Sequence, residues 1–379
     1  MKTAFFMLMS TVIGCLLLMR WRKKPSASLH SIDAVVAAYN EEPCLAESLI
    51  NLLRNRYIQR VICVDDGSTD GTGRVIDELA RQYPGRLLAI HQQNTGKGGA
   101  LMNGISHATA AQVFLTDADT FVDPDSDGLG YLLAEIEAGA DAVGGIPSSN
   151  LRNAGLLPHV RASLKLPMIV LKRSFQQLLG GAPFIISGAC GMFRTEVLRR
   201  VGFTDRTKVE DLDLSWTLVA QGYTVRQSNR CVVYPQECNS IREEWKRWRR
   251  WIVGYAVCMR LHQRLLFTRF GLFSILPMML VVLLGVVAMG LAWTGALQAH
   301  GPIGLLLALL PWLWVAIAML FGVFSAIHHR APLLVLTSVV AVLYVLLAYA
   351  IWMTHGVAGL ITGREPVRDK PTRYAHVVE

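Results

Sequence analysis

Two carboxylates, Asp117 and Asp119, stand one residue apart where the apolar run Val113-Phe114-Leu115-Thr116 gives out. Carboxylates at that spacing on a strand end can share a hard cation through oxygen ligands. Mg²⁺ or Mn²⁺ held in this way keeps open positions for the oxygens of a diphosphate and neutralises charge on a leaving nucleotide. The same triplet also serves as a turn or helix cap, so its meaning depends on what surrounds it. A loop of the composition Gly96-Lys97-Gly98-Gly99 lets backbone approach a nucleotide closely while its cation offsets phosphate charge. A third acidic stretch, Lys208-Val209-Glu210-Asp211-Leu212-Asp213-Leu214-Ser215-Trp216, follows a run of small and apolar residues, Phe184 to Phe193.

These groups need a frame, and the pattern from Ile32 to about Tyr234 supplies one. Short β-branched runs at 33–38, 60–64, 86–90 and 112–115 alternate with helical stretches near 43–54, 71–83 and 98–107. Pro43 suits the first turn of the first helix. Alternation of this kind predicts an α/β fold with a mostly parallel sheet covered by helices on both faces, and its ligands are expected beyond the carboxyl ends of the strands. The polar stretches fall at those ends: Ala38-Tyr39-Asn40-Glu41-Glu42, Asp65-Asp66-Gly67-Ser68-Thr69-Asp70-Gly71, Asn94 to Gly99, and the Asp117/Asp119 pair. Gly67 and Gly71 can shape a turn, with Ser68 or Asp70 capping the helix that follows. Asp66 is read as functional.

On these residues the chain resembles the inverting family 2 glycosyltransferases with a GT-A fold. The match runs from Val35 to Trp251 and is densest in the motifs just quoted. The resemblance implies that Ala38, Tyr39 and Glu41 line the nucleotide. It implies further that Asp65 and Asp66 contact uracil and ribose, that Lys97 lies near the base or diphosphate, and that Asp117 and Asp119 bind Mg²⁺ or Mn²⁺ with Asp117 also touching the donor. A carboxylate can accept the uracil imide hydrogen. Ser187, Gly188 and Cys190 then belong to a segment that lines the acceptor pocket, with Cys190 a small polarisable wall. Glu210-Asp211 matches the acidic pair whose aspartate is the catalytic base. Inverting transfer needs such a base, because the acceptor hydroxyl must lose its proton as it attacks. Val209 stands where Thr is usual, and Glu210 and Asp213 are also well placed as acids at a helix N-terminus.

Arg247-Trp248-Arg249-Arg250-Trp251 departs from the Gln-x-x-Arg-Trp motif of processive synthases at Arg247, while Arg250 and Trp251 match. The resemblance places all three near the diphosphate or acceptor. On spacing alone the same stretch is an amphipathic interfacial helix, with Ile241, Trp245, Trp248 and Ile252 on one face.

Composition sets the compartment. With 52% hydrophobic residues and only 17% charged, membrane segments are expected in the 379 residues. The net charge of +9 gathers at Trp21 to Lys24 and Lys246 to Arg250, each beside an apolar stretch, which favours an anionic membrane surface over nucleic acid. Ala4 to Met19 with its basic flank reads as an anchor. A signal peptide, or a lipoprotein signal at Val12-Ile13-Gly14-Cys15, is the competing reading, but the apolar run continues to a basic stop without a small-residue cleavage site. Three later blocks, Gly271–Leu291, Ile303–Ile327 and Leu333–Met353, have spanning length. Parity puts the tail outside, yet Arg364, Arg368, Lys370 and Arg373 argue for inside, a conflict that a re-entrant segment at His355–Gly363 would resolve. Seven scattered cysteines without CxxC spacing indicate neither a disulfide framework nor a zinc site.

The expected organisation is an anchor and basic flank at 1–30, a GT-A domain at 31–238, an interfacial helix at 239–268, three membrane helices at 269–356 and a basic tail at 357–379. The expected activity is transfer of a sugar, N-acetylglucosamine by resemblance to bacterial poly-N-acetylglucosamine synthases, from a UDP-sugar to a β-linked exopolysaccharide. Hyaluronan, chitin-oligosaccharide and cellulose synthases share parts of the pattern. The acceptor is then a polysaccharide or a glycolipid, a small membrane subunit is a candidate regulator, and the location is a bacterial cytoplasmic membrane with the catalytic domain in the cytoplasm. A non-processive transferase acting on a membrane lipid and a receptor with an inactive transferase domain are the alternatives.

Overall fold

In Ile32–Ala38 (β1) every residue is buried or half-buried, as expected of a strand covered on both faces. The computed structural model describes residues 24–179, 181–277, 279–280, 283, 287, 302–365 and 372–374. The first of two units takes in the described residues up to Asn153, Val170–Glu237 and those from Lys370 on. After β1 come α1 (Glu42–Arg54), β2 (Ile58–Asp65), α2 (Thr72–Gln82), β3 (Leu87–His91), α3 (Gly96–Ser106), β4 (Gln112–Asp117), β5 (Thr120–Phe121), α4 (Gly128–Glu137) and β6 (Ala142–Pro147). Then follow α5 (Leu156–Leu178), β7 (Gly191–Arg194), α6 (Thr195–Val201), α7 (Glu210–Ala220) and β8 (Val225–Pro235).

The sheet runs β3-β2-β1-β4-β7-β6-β8-β5. Its first four strands are parallel, whereas β7 is antiparallel to both β4 and β6, and β5 is antiparallel to β8. Period-two alternation sorts the side chains. Ala34 and Val36 of β1, Cys63 of β2 and Phe114 of β4 point into one core with Leu45, Leu49, Ile76 and Leu132. Val35, Ile62, Val113 and Leu115 point into the other with Leu101, Ile105, Leu198 and Leu214. The sheet is therefore sandwiched between helices, and the expected α/β architecture is the one found.

Register aligns the strand ends. Ala38 of β1 pairs with Asp65 of β2, Asp65 with His91 of β3, and Ala37 with Asp117 of β4. Because strand order reverses at β1, the loops after β1 and β4 diverge and open a crevice at the carboxyl edge.

The second unit comprises Ala154–Ile169 and Cys238–Asp369, so that the first half of α5 joins it and the tail from Lys370 does not. This differs from a transferase domain running unbroken from 31 to 238 with a separate tail. The chain changes unit inside α5, near Pro167, and the tail is drawn to the first unit by Arg373. In the second unit Ser240 caps α8 (Ile241–Leu261) by accepting from Glu243 N. Further on are α9 (Pro302–His329) and α10 (Leu333–Ile351), which passes through a wide turn at Trp352–Gly356 into α11 (Val357–Thr362). Among the described residues one helix, Leu333–Thr362, is long and apolar enough to cross a membrane. The expected anchor at Ala4–Met19 lies outside the described residues, as does part of the block Gly271–Leu291. His355 to Thr362 is helical and ends at left-handed Gly363.

Candidate active site

The loop after β1 is stitched to the loop after β2. Asn40 takes a left-handed conformation (φ 53°), which Asn tolerates better than most residues. Its side-chain oxygen accepts from Thr69 N at 2.7 Å, and its own N–H donates to Ser68 Oγ at 3.0 Å. Asp70 Oδ1 accepts from Thr72 N, so Ser68 and Asp70 serve the turn and the helix start. Gly67 (φ 75°) is required, since a β-carbon there would lie 2.9 Å from Asn94 N.

The aspartate pair beyond β2 carries structural bonds. Asp65 accepts from Ser68 N on Oδ1, with His91 Nδ1 3.3 Å from Oδ2. Asp66 Oδ1 accepts from Thr95 N and Gln92 Nε2, both at 2.8 Å, and so fixes the β3–α3 loop that leads to Lys97. The structural work that the sequence reading reserved for Ser68 and Asp70 thus extends to Asp66. Ala38 and Glu41 are buried, and Tyr39 is exposed on the rim.

The deepest convergence is at Gly188. A β-carbon there would lie 2.8 Å from Lys97 Nζ, 3.6 Å from Asp211 Oδ2 and 3.8 Å from Asp117 Oδ1. Elements more than a hundred residues apart thus deliver four expected site residues to one point. Lys97, in the first turn of α3, pairs with Asp117 and stands 3.5 Å from Glu210 Oε1. Asp211 opens α7. Its Oδ2 accepts from Gly188 N at 2.9 Å, and its carboxyl is held above the usual range by burial and by Glu210, against Lys97. Ser187 and Gly188 line the cavity beside Lys97, Glu210 and Asp211.

The rest of the acidic motif is scaffold. Ser215 Oγ donates to Asp211 O and accepts from Ile186 N, and Trp216 Nε1 donates to Phe184 O, which locks the 184–190 segment onto α7. Asp213 is buried and paired with Arg206. Cys190 is fully buried, 3.6 Å from Cys231 Sγ, a core residue behind the segment and not part of its surface.

Whether the site suits a divalent cation turns on Asp119. Burial pushes its carboxyl up to about 6, with Asp117 and Glu41 adding to the rise and Arg373 opposing it. Crowded, desolvated carboxylates favour a cation. No group of three His, Cys, Asp or Glu side chains able to cage an ion occurs among the described residues, and Mg²⁺ or Mn²⁺ bound by one or two carboxylates plus substrate phosphates needs none. The donor set fits.

Arg373 is the residue that sequence reading missed. Its Nη1 is 2.5 Å from Asp119 Oδ2 and its Nε 2.8 Å from Glu41 Oε2. Nothing in Pro371-Thr372-Arg373-Tyr374 marks it except a basic residue in a polar tail.

Arg247, Arg250 and Trp251 lie on α8, in the second unit. There Glu244, 1% exposed, is bonded by Arg161 Nη1 (2.9 Å), Arg247 and Tyr344. Arg161 and Arg247 each stack on the Trp251 ring, 5.2 and 5.4 Å from its centroid. Arginine in place of glutamine at 247 is thus matched by a buried acid one helical turn earlier.

The glycosyl transferase family 2 model matches residues 33–202. The uncharacterized glycosyltransferase YaiP of Escherichia coli (strain K12) is 64% identical over 379 residues, covering 100% of this chain and 95% of that relative. The poly-β-1,6-N-acetyl-D-glucosamine synthase of Staphylococcus epidermidis is 29% identical over 238 residues, 61% of this chain and 56% of that protein. Among solved structures, the mannosyltransferase PcManGT from Pyrobaculum calidifontis, in complex with GDP-Man and Mn²⁺, superposes with a TM-score of 0.56 at 21% identity, covering 89% of this chain and 97% of that one. The chain belongs to glycosyl transferase family 2, and it is a glycosyltransferase of GT-A fold.

Proposed function

We propose that this glycosyltransferase is a multi-pass protein of the bacterial cytoplasmic membrane that transfers a sugar, N-acetylglucosamine, from a UDP-sugar on the cytoplasmic side to a growing β-linked exopolysaccharide with inversion. The observation that carries the reading is the convergence of Lys97, Asp117 and Asp211 on Gly188. Asp211 is the base: Gly188 N–H holds Oδ2 in place, and the environment that raises its carboxyl strengthens it as a proton acceptor for the acceptor hydroxyl. Lys97 sets a positive charge against the donor phosphates. Asp117 and Asp119 would hold Mg²⁺ or Mn²⁺, which when bound supplies neutralising charge at the departing diphosphate. Tyr39, Glu41, Asp65 and Asp66 flank the nucleotide, and Ser187 and Gly188 form the wall toward the acceptor. The polymer is supported by the partial similarity to the staphylococcal synthase, and the membrane by Leu333–Thr362 and the apolar blocks of the sequence.

Arg247 favours a second reading, single transfer to a membrane lipid, because its ion pair with Glu244 replaces the glutamine of processive synthases. A panel of UDP-sugars with product sizing separates the two. Long chains from UDP-N-acetylglucosamine support the first, one-sugar products on lipid the second. In the same assay Asp211→Asn should lower kcat by about 10²-fold or more with donor affinity retained. If Glu210→Gln causes the large loss instead, the base is Glu210.

A further inference from the structure

Two consecutive residues at the end of β3 reach across to the two aspartates at the end of β2. Gln92 Nε2 donates to Asp66 Oδ1 at 2.8 Å, and Asn103 Nδ2 steadies that amide by donating to Gln92 Oε1 at 2.6 Å. His91 Nδ1 lies 3.3 Å from Asp65 Oδ2, and its Nε2 lies 2.9 Å from Asp77 Oδ1 on α2. The ring thus bridges an enclosed carboxylate, 10% exposed, and an outer one, 53% exposed. The other oxygen of Asp65 accepts from Ser68 N at 3.0 Å.

We propose that His91 is a positioning residue for the donor base, which together with Ser68 N fixes the Asp65 carboxylate in the orientation that accepts the uracil imide hydrogen. The inference rests on the reading of Asp65 as a uracil contact. A carboxylate turns on a broad terminal torsion, so a bond to one oxygen leaves the plane of the group free to rock. Bonds to both oxygens pin it. Each oxygen has two lone pairs, so Asp65 keeps acceptor capacity for a ligand after both bonds are made. The pin depends on protonation. The charged groups that face the ring are Asp65 from β2 and Asp77 from α2, elements that pack against β3, and only an imidazolium donates to both. When the ring is neutral the shorter contact, to Asp77, keeps the hydrogen, and Nδ1 turns a lone pair toward Asp65 Oδ2. Asp65 then loses its second bond and is repelled from the position that uracil needs. The bond to Asp77, and after it Asp65, raise the ring above its ordinary value against burial. The pin is therefore complete below about pH 6.5 and fails as pH rises through the folded-state pKa.

The test measures binding of UDP and of CDP to the full-length protein in detergent, with Mg²⁺ present, by calorimetry. Cytosine lacks the imide hydrogen, so the ratio of CDP to UDP dissociation constants reports recognition at the uracil edge, and titration of the shared diphosphate cancels. In wild type the ratio should fall about three- to fivefold as pH rises above about 6.5, the scale of a half-exposed charged contact. In His91→Gln it should stay level with pH. A merely structural role would weaken both nucleotides together and leave the ratio alone. Asp65→Ala should bring the ratio close to unity at every pH. A second readout needs no variant: by linkage, UDP should raise the NMR midpoint of the His91 ring further than CDP does. Equal pH dependence of the ratio in wild type and His91→Gln, with the ratio collapsed in Asp65→Ala, overturns the role of His91 and leaves Asp65 on uracil. Equal ring midpoints with UDP and CDP also overturn it. A ratio unchanged by Asp65→Ala overturns both, and a wild type that binds no UDP overturns the UDP donor with them.

Discussion

His91 shows how much a single side chain can decide at this edge of the sheet. It ends β3 in register with Asp65, and its ring lies between Asp65 Oδ2 (3.3 Å from Nδ1) and Asp77 Oδ1 (2.9 Å from Nε2). Gly73 leaves room for the pair, since a β-carbon there would lie 2.9 Å from Asp65 Oδ2 and 3.5 Å from His91 Cε1. Only the protonated ring can donate to both carboxylates at once. The hydrogen bond to Asp77 leads in raising its pKa, burial acts against it, and Asp65 adds to the rise. A histidine raised above its unfolded value of about 6.5 contributes stability that is complete below that pH and is lost as pH rises through the folded-state pKa. The ring should titrate above 6.5 by NMR, and the stability difference between wild type and His91→Gln should be full below about pH 6.5 and shrink as pH rises above it. Since the side chain is 46% exposed, the effect should stay below about 1 kcal/mol. A midpoint at or below 6.5 would show that the two carboxylates do not hold the proton. In the sequence His91 is one polar residue at a strand end, and neither of its partners is adjacent to it.

At the scale of elements, α3 has to bring Lys97 to Asp117, and it does so by lying very close to the sheet. A β-carbon on Gly104 would lie 2.5 Å from Val35 Cγ1 and 3.1 Å from Val64 Cγ2. In an open helix Gly→Ala stabilises by about 1 kcal/mol. Here overpacking, which costs about 1–3 kcal/mol, opposes that gain and outweighs it, because the contacts are with stiff β-branched side chains of the core. Gly104→Ala should therefore lower the melting temperature by a few degrees and, by lifting the helix that carries Lys97, weaken UDP binding measured by calorimetry. An unchanged melting temperature with full UDP affinity would mean that β1 and β2 yield without cost. The helix itself was legible near 98–107 from its pattern, and the structure begins it at Gly96. Its closeness to the sheet was not legible, because a glycine in a helical pattern is silent about what faces it.

For the whole molecule, the proposed topology makes a labelling prediction. The cysteines among the described residues are all buried, so an introduced thiol is read against a quiet background. Gln82, at the end of α2, is exposed. Gln82→Cys should resist a membrane-impermeant thiol reagent in intact cells and react once the membrane is opened, whereas Gln298→Cys, between two apolar blocks and outside the described residues, should react in both. Labelling of Gln82→Cys in intact cells would put the catalytic unit on the side that lacks nucleotide sugars.

By itself the sequence determined the first four strands of the first unit with the three helices between them, the mostly parallel character of the sheet and the four polar strand tips. Those follow from periodicity, turn residues and alternation, which act over a few residues and survive in the linear text. It also singled out Asp117, Lys97 and Asp211 as candidate site residues, because their motifs are local. Tertiary structure alone decided that these three meet at Gly188, that Asp66 serves its neighbouring loop, that Cys190 faces Cys231 inside the core, and that Arg247 answers Glu244 and stacks on Trp251. It alone placed Arg373 on Glu41, 332 residues away in the chain. Such a contact is made by burial and charge complementarity once the sheet has formed, and neither residue carries a pattern that names the other.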